Sequence, residues 1–204
     1  MGWYADQVVP LIVNLACGAK SAPPLRRRVC TSLAGEIVEI GFGTGHNVPF
    51  YPPEVTSVDA VEPSDTCWRL AADRIATSPV SIRRSGHDAQ KLPYEDASFA
   101  AALCTWTQCT VPDAAAALAE LRRVLRPGSA LHFVEHGLAP NENVRRWQRR
   151  LEPLNKRVLG GCHLTRPVVP LLSVAGFTIR NVDVFYEEGA PKPWGADTLG
   201  VAFP

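Results

Sequence analysis

The chain of 204 residues has almost no excess charge, since 21 Lys and Arg against 20 Asp and Glu leave a formal net charge of +1. So close a balance gives no overall basic field and argues against a nucleic-acid partner; any basic character is local. A C-x-x-C pair is also missing. The six cysteines Cys17, Cys30, Cys67, Cys104, Cys109 and Cys162 are scattered, which presents neither a zinc-finger spacing nor a disulfide framework. No secretory signal pattern is read ahead of them, so reduced thiols in a cytoplasmic protein are the expectation. Long hydrophobic runs are absent too. The apolar stretch from Val8 to Cys17 contains Pro10 and Asn14, and it is only about half the length that spans a bilayer. It reads as an N-terminal helix or lid. No internal repeat and no low-complexity tail interrupts the chain.

What remains is an ordinary globular composition, 46% hydrophobic and 20% charged, long enough for one sizeable domain. Strand and helix signals alternate along it. Strands are expected at Glu36 to Ile40, Thr56 to Glu62, Val80 to Ser85, Phe99 to Thr105 and Ala130 to Glu135. Helices are expected from Trp3 to Gly18 with a bend at Pro10, from Leu25 to Leu33 after a break at Ser21 to Pro24, and briefly from His46. Two more are read at Ser64 to Thr77, with Ser64 as N-cap, and at Asp113 to Leu125, capped by Asp113 and stopped by Pro127-Gly128. Phe177 to Phe185 and Leu199 to Phe203 read as a closing antiparallel hairpin after a helix near Pro167 to Ala175. Such alternation with short connections implies an α/β fold: a Rossmann-like, doubly wound, seven-stranded, mostly parallel sheet.

Between Asn143 and Leu159 the residues Val144, Trp147, Leu151, Leu154 and Val158 share one helical stripe among six Arg and Lys, with Pro153 as a kink. Packing of that stripe on its own domain is the favoured expectation. The other is weak peripheral contact with an anionic membrane surface.

The strongest local signal is Glu39-x-Gly41-x-Gly43-x-Gly45, directly after the first strand. Glycines there let the backbone take positive φ and approach a ligand at the switch point of an α/β sheet. A dinucleotide site wants Gly or Ala three residues past the second glycine, and His46 stands there instead. A Tyr-x-x-x-Lys pair is lacking as well, which disfavours an NAD-dependent oxidoreductase. Glu62 ends the second strand, where a carboxylate can accept both hydroxyls of an adenosine ribose. Asp88, in Gly86-His87-Asp88-Ala89 after the third strand, can accept from an adenine amino group. Glu39 is placed to hold the ammonium of a methionine moiety, directly or through water. Each acid alone also fits a solvated loop; their recurrence after three successive strands is what argues for a site.

With these motifs the chain resembles the class I S-adenosylmethionine-dependent methyltransferases. Within them it resembles the methyltransferase-like thiol S-methyltransferases of animals and their bacterial relatives, from about residue 35 onward. The shared stretches are 39–45, Phe50-Tyr-Pro-Pro53, Leu103-Cys-Thr105, Arg122 to Gly128, Glu135-His136, Trp147-Gln148 and Gly161-Cys-His-Leu-Thr-Arg166. Phe42 departs from the more usual Cys or Ser. The hydrophobic N-terminal anchor of the animal members is not read here, so membrane residence is not carried over.

The resemblance implies S-adenosylmethionine as cofactor, held by Tyr4, Glu39, Gly41, Phe42, Gly43, Gly45, Asn47, Glu62, Pro63, Asp88, Ala89, Cys104 and Thr105. It implies a single domain over 1–204 with a helical lid (1–34) and a helical substrate insertion (137–176). The acceptor is expected to be small and rather apolar, a thiol among the options. Methyl transfer is an in-line displacement that depends on alignment and exclusion of water. A thiol acceptor gains from a nearby base or cation, because its ordinary pKa is near 8.5. His136 is the expected base or substrate-orienting group, with Trp106, Cys109, His163 and Arg166 lining the substrate side. The alternatives are a phospholipid N-methyltransferase, a quinone C/O-methyltransferase, or a module that binds S-adenosylmethionine without catalysis. No metal is expected.

Overall fold

Apolar, β-branched runs form the strands of one sheet. In the computed structural model, which describes residues 3–204, these are β1 (Gly35–Ile40), β2 (Val55–Val61), β3 (Ser81–Gly86), β4 (Phe99–Thr105), β5 (Leu125–His136), β6 (Thr178–Tyr186) and β7 (Ala196–Phe203). Their order is β3-β2-β1-β4-β5-β7-β6. The first five are parallel where they pair, and β7 runs antiparallel to both β5 and β6. This is the doubly wound α/β architecture with its closing hairpin. The chain travels outward from β1 to β3 and then returns to β4, so the order reverses between β1 and β4. Ile40 lies level with Cys104 in that pairing. The two strands therefore end together, and the crevice over their carboxyl ends is where such sheets bind ligands.

Helices cover both faces of the sheet. On one, Leu118 and Leu121 of α5 (Ala114–Val124) and Leu172 of α7 (Val168–Val174) pack against Val38, Ile40 and Phe133. On the other, Val29 and Cys30 of α2 (Ala22–Cys30) pack against Ile37, Val58, Leu103 and Val134. Burying a side chain of this size contributes about 1.5–3 kcal/mol. Two cores hold one sheet.

Several boundaries fall away from their expected places, for identifiable reasons. Helix α2 starts at Ala22 rather than Leu25, with Pro23 and Pro24 inside its first turn. Those first N–H groups have no intrahelical partner, so proline costs nothing there. The expected N-terminal helix begins with a wide turn over Tyr4–Val8 and continues as α1 (Val9–Cys17), with Pro10 again in the first turn. The helix expected from Ser64 is divided at Ala71 into α3 (Asp65–Leu70) and α4 (Ala72–Ala76). Ser64 caps it as expected, its hydroxyl accepting from the Cys67 N–H at 3.2 Å. The residues after His46 form a 3-10 turn over Val48–Phe50. Strand β5 begins at Leu125, five residues early, and absorbs Pro127-Gly128 through a register shift opposite Phe99 to Ala101. Strand β7 likewise begins early, at Ala196.

The favoured expectation for α6 (Glu142–Val158) holds only in part, since Val144 and Leu151 of its stripe are half-buried while Trp147, Leu154 and Val158 face outward. The fully buried residues of the helix are polar, Gln148 and Asn155. The amides earn that position by bonding. Gln148 accepts from Ala139 N–H at 3.0 Å and donates to the Gly137 and Pro193 carbonyls. Asn155 donates to the Cys162 carbonyl at 2.8 Å and accepts from Trp194 Nε1. Periodicity finds an apolar stripe but does not say which side the sheet lies on. No helix among the described residues is long and apolar enough to cross a membrane.

Candidate functional site

Directly beyond β1, Gly41, Gly43 and Gly45 adopt φ of +66°, +60° and +77°. A Cβ on Gly41 would lie 2.0 Å from Thr107 Oγ1, so the loop is pressed against the segment after β4. At Gly43 the same construction meets only the Gly41 carbonyl oxygen, at 3.8 Å. That peptide is bare on its side-chain face. Its N–H donates to Glu62 Oε2 at 2.7 Å, and the Ser64 N–H donates to Glu62 Oε1 at 2.7 Å. Burial pushes the Glu62 carboxyl up, while these two N–H groups hold it down. Phe42 turns inward, its ring centroid 5.4 Å from that of Trp68.

The N-terminal helix reaches this loop through Asn14 of α1. Its Oδ1 accepts from Thr44 Oγ1 at 2.7 Å, and its carbonyl and amide oxygens both lie 3.1 Å from His46 Nε2. Burial, then Arg26 and Arg74, lower the His46 pKa to about 4. The residue that excluded a dinucleotide is thus a neutral strut between helix and loop.

Glu39 lies wholly inside. Its carboxylate accepts from Asn47 Nδ2 at 2.9 Å and from the Tyr51 hydroxyl. Burial raises it to about 7, against those hydrogen bonds. Beside it sits Arg26, 4% exposed. Its guanidinium donates to Asn47 Oδ1 at 2.6 Å, Thr105 Oγ1 at 3.4 Å and the Cys17 carbonyl at 3.1 Å, and lies 4.8 Å over the Trp106 ring. The sequence presents Arg26 only as part of a basic run. The signal that would have separated it is spacing, because Arg26, Val29 and Cys30 fall on one buried helical face.

On the other side of the crevice, β4 ends in a strained turn. Trp106 has φ of +48°, a region that non-glycine residues seldom occupy. The strain is held by Glu135, which is fully buried and accepts from Thr107 N–H at 3.0 Å, Gln108 N–H at 3.1 Å and the Cys104 thiol at 2.9 Å. Burial lifts this carboxyl to about 7. The turn delivers Cys109 to His136, whose Nε2 lies 3.8 Å from Cys109 Sγ and 3.6 Å from Cys162 Sγ. The Cys109 hydrogen bond, with the imidazole behind it, draws the Cys162 thiol down against the effect of burial. Opposite His136 in the β5–β7 register stands Asp197, whose Oδ1 accepts from Trp106 Nε1 at 3.3 Å. Two buried atoms here have no hydrogen-bond partner, His136 Nδ1 and Asp197 Oδ2; both side-chain polar atoms of Gln108 are in the same state.

The expected residues thus divide. Glu39, Gly41, Gly43, Asn47, Glu62 and Thr105 meet at the crevice, and Cys109 meets His136. Asp88 lies exposed after β3, its Oδ1 accepting from both Gln90 N–H and Gln90 Nε2. Pro63 is exposed, and Ala89 packs on the core. Cys104 spends its thiol on Glu135. The Tyr4 hydroxyl donates to the Val158 carbonyl at 3.2 Å, which fastens the N-terminus to α6. Trp3 is exposed. His163 Nδ1 lies 3.2 Å from Glu152 Oε1, and Arg166 donates to the Gln108 and Val111 carbonyls. Both line an open cleft of about 480 Å³ with Pro112, Asp113 and Leu171. Arg166 therefore braces the loop that carries Cys109. Cys162, Arg26, Tyr51 and Asp197 are the members that sequence reasoning left out.

A family model described as a methyltransferase domain matches residues 38–133. The chain is 36% identical over 142 residues to thiol S-methyltransferase TMT1B of Rattus norvegicus, covering 67% of this chain and 57% of that protein. With thiol S-methyltransferase TMT1B of Homo sapiens it shares 34% identity over 155 residues, 72% of this chain and 63% of the relative. The chain thus spans about six-tenths of these curated relatives' own length. A solved structure from Thermotoga maritima, described as an S-adenosylmethionine-dependent methyltransferase and possible histamine N-methyltransferase, superposes with a TM-score of 0.69 at 23% identity. The match covers 98% of this chain and 99% of that one, and bears on the fold alone.

Proposed function

Because the chain belongs to the class I S-adenosylmethionine-dependent methyltransferases, we propose that it transfers a methyl group to a small, rather apolar acceptor, a thiol by preference. The observation that carries the reading is Glu62, fixed by the Gly43 and Ser64 N–H groups at the mouth of the crevice. Each of its oxygens keeps a lone pair for one ribose hydroxyl. The bare face of Gly43 gives the close backbone approach that the cofactor needs. Asp88 is held at Oδ1 only, which leaves Oδ2 for an adenine amino group. Arg26 is a buried cation whose hydrogen bonds all go to neutral oxygens. Glu39 is a nearby counter-charge but makes no direct ion pair with it, so the guanidinium keeps a place for the methionine carboxylate as a second one. Glu39 acts through Asn47, which it orients. The chain fits the cofactor.

S-adenosylmethionine supplies an electrophilic methyl carbon on a sulfonium. The protein's share is to align the acceptor and keep water out. Trp106 walls the crevice on the acceptor side, and His136, beside Cys109, orients the acceptor or takes its proton. In this reading residues 1–34 are the lid, a role supported by the Asn14 contacts with Thr44 and His46. Residues 137–176 are the substrate insertion of a single domain, and six free cysteines favour the cytoplasm. Similarity to thiol S-methyltransferases supports sulfur as the acceptor atom. A turnover screen of thiols, phenols and amines with isotopically labelled methyl donor tests this, with labelled thioethers as the expected product. Label appearing only in amines or phenols would reject the thiol, and no label at all would leave a binding module.

A second contact is favoured by the outward face of α6, where Trp147, Leu154 and Val158 stand beside Arg146, Arg150 and Arg157. This is the pattern of weak peripheral binding to anionic lipid. Co-sedimentation with anionic vesicles that fades with salt supports it. Absence of binding at every salt concentration removes it.

A further inference from the structure

Three cysteine and histidine side chains from separate segments converge beside the crevice. Cys109 comes from the turn after β4, His136 from the end of β5, and Cys162 from the loop after α6. Their ligating atoms all lie within 4.8 Å of one another. Both cysteines are nearly inaccessible, at 2% and 4% exposure, and His136 is half-buried. We propose that Cys109, His136 and Cys162 form a binding site for a soft divalent cation, zinc by its donor set.

The geometry is the first argument. Zinc bonds of about 2.3 Å to sulfur and about 2.0–2.1 Å to nitrogen, set at tetrahedral angles, put sulfur and nitrogen about 3.6 Å apart. The two observed separations are 3.6 and 3.8 Å. A cation at the centre therefore needs little movement of the side chains. The second argument is the orphaned pair behind the cluster. A metal-ligating histidine ordinarily donates its other ring N–H to a carboxylate or carbonyl. Here the other nitrogen is His136 Nδ1, buried and unpartnered, and the unpartnered Asp197 Oδ2 belongs to the residue opposite it on β7. Metal on Nε2 fixes the proton on Nδ1, and Asp197 Oδ2, not in contact with it in this structure, is the carboxylate oxygen that a side-chain rotation would bring to accept it. The third is rigidity. The Cys109 turn is pinned by Glu135 and Arg166, and the Cys162 carbonyl by Asn155, so the donors are held by bonds that the cation does not have to make.

Loading releases the two thiol protons, because the ligands are thiolates. Two cysteines and one histidine leave a fourth position, the arrangement of a catalytic rather than a structural zinc. A thiol acceptor entering there gives its proton to solvent and binds as thiolate, its sulfur then bonding to the methyl carbon as the sulfonium bond breaks. This acceptor step keeps only the orienting role given to His136, now exerted through the cation and without proton transfer to the imidazole, and it rests on the proposed function. The metal site does not.

The test uses the full chain, reduced, stripped with a chelator, and titrated with cobalt(II). One equivalent should bind, with thiolate charge-transfer bands and the intense visible bands of a tetrahedral sulfur-ligated ion, and zinc should displace it. Cys109→Ser and Cys162→Ser should abolish the charge-transfer signal or weaken binding at least tenfold, while Cys67→Ser on α3 leaves it unchanged. Asp197→Asn should weaken binding roughly ten- to a hundredfold. If a cysteine variant does not fold, mercurial titration of the zinc-loaded wild type gives the same answer, since zinc should leave as two thiols react. Absence of stoichiometric binding, or binding that survives both cysteine changes, overturns the site. So does a Cys109–Cys162 disulfide that forms in air with zinc present. Adding an apolar thiol to the cobalt form should shift its visible bands, whatever the turnover screen shows. Unshifted bands overturn the acceptor step alone.

Discussion

The crevice at the carboxyl edge of the sheet is built differently on its two sides. Over β1 and β2 the chemistry is backbone and oxygen: positive-φ glycines, a carboxylate held by two N–H groups, and an Arg–Asn–Thr set behind them. Over β4, β5 and β7 it is sulfur and imidazole, with a second buried carboxylate fixing a strained turn at Trp106. The first side is suited to a polar, hydroxyl-rich ligand that needs close backbone approach. The second suits a softer, less polar one. The halves touch at Gly41 and Thr107, so one glycine sets the width of the crevice.

That contact gives the largest expected effect. Gly41→Ala places a Cβ 2.0 Å from Thr107 Oγ1 at φ of +66°. Strain and overpacking together should cost about 2–5 kcal/mol in urea unfolding. Gly43→Ala carries the backbone strain only, because its nearest neighbour is 3.8 Å away, and should cost about 1–2 kcal/mol. Equal losses would break the claim that Gly41 is the joint between the halves.

Next comes pH. Burial raises the Glu39 carboxyl from 4.5 to about 7 in the folded chain. Between those values the folded state holds more protons than the unfolded one, so stability falls as pH rises through the window. Glu39→Gln removes this contribution. The stability of the wild type relative to the variant should then decline between about pH 4.5 and 7, by on the order of 2 kcal/mol. Parallel melting curves across the window would place the proton elsewhere.

Glu62→Ala should weaken S-adenosylmethionine roughly ten- to a hundredfold, the worth of a charged hydrogen-bonding pair. Asp88→Ala, at an exposed position, should weaken it by about tenfold or less and leave the fold intact. If neither substitution changes the affinity measured by calorimetry, the oxygen-lined half is not the adenosine site.

The difference between the halves also explains what a reader of the sequence can see. The glycine loop, Glu62 and Asp88 each follow a strand directly, so strand patterning alone brings them to one edge. The alternation of strands and helices and the Phe99–Thr105 boundaries come from the same patterning. Cys109, His136 and Cys162 stand 27 and 26 residues apart and meet only once β4, β5 and the loop after α6 are packed. No local spacing encodes that meeting, and scattered cysteines gave no reason to expect a metal. Arg26 was hidden among exposed neighbours. Helix α6 misled in part through its stripe: Val144 and Leu151 do turn inward, but the fully buried places go to Gln148 and Asn155, which make four hydrogen bonds with backbone and one with Trp194.

Parallel calorimetric titrations of the chain with S-adenosylmethionine, its demethylated product and NADH test the central claim most directly. The account predicts saturable one-to-one binding of the first two and no heat from the third. Binding of NADH, with no heat from either methionine compound, would contradict it.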